Sequence, residues 1–71
     1  MSRKVYNVTE VAEILQTTPQ RVRTLIKNGY LKAFRLGRLL IRNDDLDEFL
    51  LSAVGKDFTD GVPVELVEVA N

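Results

Sequence analysis

The 71-residue chain contains no cysteine and no histidine. Without them neither a disulfide nor a zinc site of the Cys/His kind can reinforce the fold. The same gaps remove the usual acid–base and nucleophile pairs, and Ser2 and Ser52 have no sequence companions that would activate them. No enzymatic activity and no cofactor are expected. No apolar run approaches the roughly 18 residues of a membrane span, and the opening MSRKVYNVTE lacks the core of a secretion signal. The expectation is a soluble cytoplasmic protein with no membrane partner. A chain this short buries only about 60% of its unfolded surface, so it makes one domain with a small core.

Excess charge of one sign is also missing, since ten Lys/Arg meet ten Asp/Glu. The zero total conceals a division. Residues 1–42 hold nine basic residues and two acids, a balance of +7, whereas residues 43–71 hold Lys56 and eight acids, a balance of −7. A polyanion responds to the field of a patch within a Debye length, about 8 to 10 Å at ordinary salt, and not to the total. The first part is therefore suited to phosphate.

The elements follow from caps and periodicity. Asn7 and Glu10 form a capping-box pattern, flanked by Tyr6 and Val11 at staple positions, so a helix starts near Val8 and runs to about Gln16. Its apolar stripe is Val8, Val11, Ala12 and Leu15. Thr18 then caps a second helix with Pro19 in the first position, and Asn28-Gly29 supplies a left-handed stop. Val22, Leu25 and Ile26 form its buried face. Two short helices this close together predict a helix-turn-helix. LKAFRLGRLLIR reads as two strands around Leu36-Gly37, a hairpin wing. Asn43 is the predicted cap of a third helix reaching about Val54, with Leu46, Phe49, Leu50 and Ala53 inward. Asp44, Asp45, Asp47 and Glu48 at its start read as solvated carboxylates favoured by the helix dipole, not as metal ligands.

The predicted fold is mainly α with a small β-hairpin: a winged helix-turn-helix of three short helices over residues 1–54. Residues 55–71 read as an acidic tail that also carries Val62, Val64, Leu66, Val67 and Val69. That tail suits either a strand added to a partner's sheet or packing against the chain's own wing, and Pro63 argues against a central strand.

With Val22, Leu25 and Ile26 inward, the second helix turns Gln20, Thr24 and Lys27 outward and places Arg21 and Arg23 at the edges. Arg matches guanine, Gln matches adenine, a Thr methyl meets thymine, and Lys neutralises phosphate. The predicted DNA-binding residues are Thr18, Gln20, Arg21, Arg23, Thr24 and Lys27, with Arg35 and Arg38 at the wing tip approaching a minor groove or its phosphates. Arg3 and Lys4 could add a backbone contact. Solubility alone also favours such residues on a helix surface, and edge strands use Arg to block pairing. Their concentration on one helix and one hairpin tip favours DNA.

The pieces VTEVAEIL, TPQRVRTLIKNGYL, AFRLGR and DLDEFL, in this order over about residues 6–51, resemble the small winged helix-turn-helix domain of phage and mobile-element excisionases and, more distantly, of MerR-type regulators. That resemblance implies a recombination directionality factor. Such a protein binds and bends attachment-site DNA, often as several copies side by side, and recruits an integrase toward excision. It places the recognition helix at residues 18–28, in the major groove, and wing contacts at Arg35 and Arg38. Leu39-Leu40 stands where relatives carry a basic-aromatic pair, which leaves the register of the second wing strand, and any role of Arg42, open. Two alternatives stand beside this reading. A small MerR-like transcriptional regulator would need a long dimerisation helix, for which the chain has little room; a terminase small-subunit-like packaging or interaction module would continue into an assembly region.

Overall fold

A computed structural model of the protein describes residues 4–66, which leaves the expectations on Arg3, Val67 and Val69 outside the described residues. The order of elements is β1 (Val5–Asn7), α1 (Val8–Ile14), α2 (Pro19–Lys27), β2 (Phe34–Leu36), β3 (Arg38–Arg42), α3 (Asn43–Ala53), β4 (Lys56–Asp57) and β5 (Val64–Glu65). Three helices and a small antiparallel sheet make the winged helix-turn-helix that the periodicity predicts.

Local chemistry sets the helix boundaries. The Asn7 side chain accepts from the Glu10 amide at 2.8 Å while the Glu10 carboxylate accepts from the Asn7 amide at 2.9 Å, closing the capping box. The α1–α2 turn puts Gln16 in the left-handed region at φ 58°, so α1 stops at Ile14, two residues before the expected end. Thr18 Oγ1 accepts from the Arg21 amide at 3.3 Å and starts α2. Gly29, at φ 86°, turns the chain away from α2 where a side chain would be strained. The Tyr30 and Leu31 amides then both donate to the Leu25 carbonyl, at 3.0 and 3.3 Å, and bring Leu31 into the core.

The sheet has the order β1-β3-β2. Sequence pattern missed β1, because three residues are too few for a period-two signal. Its pairing makes β3 the central strand, with Tyr6 opposite Ile41 on one side and Arg35 opposite Leu39 on the other. That settles the wing register. It buries Ile41 completely and leaves Arg42 exposed at the end of β3.

The core is a single cluster between these layers. Val8, Val11 and Ala12 of α1 meet Val22 and Leu25 of α2, Leu31, Ile41 of β3, and Leu46 and Phe49 of α3. Fully burying an aliphatic or Phe side chain is worth about 1.5 to 3 kcal/mol, so these few positions carry most of the favourable term. No polar or charged residue is buried among the described residues. Ile26 and Ala53 are only half-buried and Leu50 is 40% exposed, so the predicted stripes of α2 and α3 are wider than the buried ones.

Two expectations are corrected. Asn43 is the first residue of α3 and Arg42 occupies the cap position, with no side-chain cap bond, because Asn43 donates its amide to the Lys4 carbonyl at 2.8 Å beside β1. Arg42 instead reaches forward to Asp45, with Nε to Oδ2 at 3.0 Å and Nη2 to Oδ1 at 3.1 Å. Among the described residues, the segment after α3 does not join the wing sheet: β4 and β5 pair with each other as a separate two-stranded sheet. Phe58, on the connection between them, sits between the Tyr30 and Phe49 rings at centroid distances of 5.5 and 5.2 Å.

Candidate nucleic-acid interface

An α-helix advances about 100° per residue, so the positions of α2 can be placed around its axis. Val22 and Leu25 define the buried side. Opposite them, Gln20, Thr24 and Lys27 lie within about 40° of one line, Arg23 falls about 60° to one side, and Arg21 and Asn28 fall about 80 to 100° to the other. The two flanks face different neighbours.

On the Arg23 flank, a groove of about 400 Å³ separates α2 from the wing and the start of α1, lined by Asn7, Thr9, Arg23, Arg35, Arg38 and Leu39. The register that places Arg35 opposite Leu39 brings both wing arginines to this groove with Arg23, although they lie twelve or more positions later in the chain. All three arginines are exposed. The ion pairs between described residues, Arg42 with Asp45 and Lys56 with Glu65, involve none of them. Three guanidinium groups around one groove make a strong local positive potential on a chain of zero net charge.

The Arg21 flank is occupied by the chain itself. Asn28 Nδ2 donates to the Gly61 carbonyl at 2.7 Å. Gly61 is buried against α2 so closely that an added Cβ would lie 2.5 Å from Thr24 Cγ2. A second cavity, of about 150 Å³, lies between this segment and the helix, with Arg21, Thr24, Phe58, Thr59 and Asp60 on its walls. The Asp57 carboxyl is held below the usual aspartate value by bonds from the Thr59 hydroxyl and amide, with the positive field of Arg21 adding to the effect.

The residues expected to meet DNA are thus divided. Gln20, Arg23 and Lys27 stand exposed on one strip with the wing groove beside them. Thr18 uses its hydroxyl to cap α2. Thr24 donates its hydroxyl to the Gln20 carbonyl at 3.0 Å and turns its methyl toward Gly61. Arg21 is exposed on the far flank, on the wall of the small cavity that Asp60 also lines. Sequence reasoning did not find Asn7 and Thr9 in the groove, nor Asn28 and Gly61 as partners. Asn28 and Gly61 are 33 positions apart and no periodicity links them.

The family model of the helix-turn-helix domain matches residues 5–53, more than half of the chain and the whole of β1 to α3. The chain belongs to the helix-turn-helix domain family. This helix-turn-helix protein is a DNA-binding protein whose partner is double-stranded DNA. No curated protein and no solved structure matches it. The match ends where α3 ends, so the β4–β5 hairpin on the α2 flank lies beyond the shared domain. Among the described residues no helix is long and apolar enough to cross a membrane, and no group of acidic side chains could hold a metal ion.

Proposed function

We propose that this helix-turn-helix protein is an excisionase-type directionality factor that inserts α2 into the major groove and lays its wing on the adjacent backbone. The observation that carries the DNA geometry is the convergence of Arg23, Arg35 and Arg38 on one groove beside the open strip of Gln20 and Lys27. In this reading Gln20 and Arg23, near the start of the helix, reach base edges, since Gln pairs bidentately with adenine and Arg with guanine. Lys27, Arg35 and Arg38 take phosphates, and the capped start of α2 contributes backbone N–H groups to the same strand. Arg21 is exposed on the flank beside the β4–β5 segment, and Thr24 joins the contact only where that segment leaves room.

The excision role rests on the ordered resemblance of VTEVAEIL, TPQRVRTLIKNGYL, AFRLGR and DLDEFL to excisionases. It is tested by measuring the bend of circularly permuted attachment-site duplexes and by adding the protein to integrase reactions run in both directions. A directionality factor bends the DNA and raises excision while lowering integration. Specific binding with no change in either reaction would assign the protein to transcription control.

A further inference from the structure

The β4–β5 hairpin, residues 56–65, carries Asp57, Asp60 and Glu65 and lies on the flank of the helix that the proposed function sends into the major groove. Its attachment there is built at two points. Phe58 is held between Tyr30 and Phe49. The Gly61 backbone is pressed against Thr24 and accepts from Asn28, and the absence of a side chain at Gly61, at φ 83°, is what permits that approach. Lys56 Nζ meets Glu65 at 3.0 Å and closes the base of the hairpin, so the one basic residue of the segment is already committed.

A helix in the major groove has a phosphate backbone on each side. The wing supplies Arg35 and Arg38 to one of them. The other would meet Asp57 and Asp60, which repel phosphate, and Asp57 also lies in the positive field of Arg21 that a phosphate would use. The hairpin also narrows the open strip of α2 by covering Thr24.

We propose that the β4–β5 hairpin is an acidic gate on the recognition helix, closed over Thr24 in the free protein through the Asn28–Gly61 contact, with its carboxylates beside the exposed Arg21, and displaced when a DNA phosphate backbone approaches that flank. This rests on α2 being the DNA-reading helix. The gate lowers affinity for any duplex and spares those whose contacts to Arg21 and the newly uncovered Thr24 offset the opening.

The test uses the full chain, a duplex pool at 50 mM salt, and two kinds of variant. Asp57→Asn with Asp60→Asn removes the charge while the introduced amide oxygen at position 57 can still accept from Thr59; Asp47→Asn on α3 is the control for loss of a carboxylate elsewhere. Gly61→Val forces the hairpin off Thr24. Each exposed charge interaction is worth a factor of about 1.4 to 5, so the double variant should bind at least about twofold more tightly than the control. Gly61→Val should bind more tightly as well, with a smaller preference between selected and random duplexes. In the wild type, NMR of the Asn28 side-chain amide should report loss of its bond to Gly61 as DNA is added. Tighter binding of both variants and a shifted Asn28 amide support the gate. Wild-type binding with an unmoved Asn28 amide and unchanged affinity of the double variant overturns the gate and leaves the DNA reading intact. If neither the wild type nor any variant binds DNA, both fall. Should Gly61→Val fail to fold, the double variant and the wild-type NMR decide alone.

Discussion

Neutralising the wing groove offers the most direct perturbation of the interface. Arg23, Arg35 and Arg38 line one groove of about 400 Å³ and take no part in the ion pairs between described residues. Each cation that neutralises one phosphate of B-DNA contributes about −0.9 to the slope of log K against log salt concentration. A fourfold rise from 50 to 200 mM salt then weakens binding by about 3.5-fold per contact, or about 40-fold for three. Replacing all three arginines by Ala should flatten the slope by about 2.7 if all three meet phosphate, and by about 1.8 if only the wing pair does. The single variants separate the two cases. Arg35→Ala should weaken every duplex alike and reduce the slope by about 0.9, whereas Arg23→Ala should cost about 1 to 3 kcal/mol on a duplex selected from a random pool and little on random DNA. Fluorescence anisotropy over a salt series measures both quantities. The reasoning is refuted if the triple variant keeps the wild-type slope, because no phosphate would then occupy the groove.

Three further outcomes concern the scaffold. Asn7→Ala breaks the closed capping box at α1 and should cost about 1 kcal/mol, seen as a lower urea midpoint with unchanged m-value. Gly29→Ala meets no atom within 4 Å but keeps a left-handed φ, so it should destabilise by about 1 to 2 kcal/mol through backbone strain alone, and Gly29→Asn should recover part of that in thermal melts. The Asp45 carboxyl is held below its ordinary 3.8, first by the hydrogen bond from Arg42. Because its folded pKa is depressed, the stabilisation is present above 3.8 and is lost as pH falls through the folded value. Asp45→Asn should therefore melt below the wild type at pH 7 and converge with it in acid, as followed by circular dichroism across pH.

The local elements were legible because each is written in neighbouring residues. Asn7 with Glu10, Thr18 with Pro19, and Asn28 with Gly29 are signals of backbone hydrogen bonding that act over three or four positions, so the starts of α1 and α2 and the stop of α2 could be read directly. Val8, Val11 and Ala12, with Val22 and Leu25, mark the buried faces through the helical repeat, and the outward side of α2 follows by subtraction. The same logic misplaced the cap of α3. Asn43 is a good cap by residue type, but its amide pairs with Lys4 across the start of β1, a contact that no local rule contains.

Sequence by itself determined the helix-turn-helix, the wing and the split of charge at Asn43, because caps, periodicity and composition are local quantities. Only the tertiary structure decided which side of α2 is open. The pairing of β2 with β3 brings Arg35 and Arg38 round to Arg23, and the docking of Phe58 and Gly61 covers Thr24 and engages Asn28 on the opposite flank. Both depend on contacts between residues far apart in the chain, whose free energy comes from packing and not from local backbone preference.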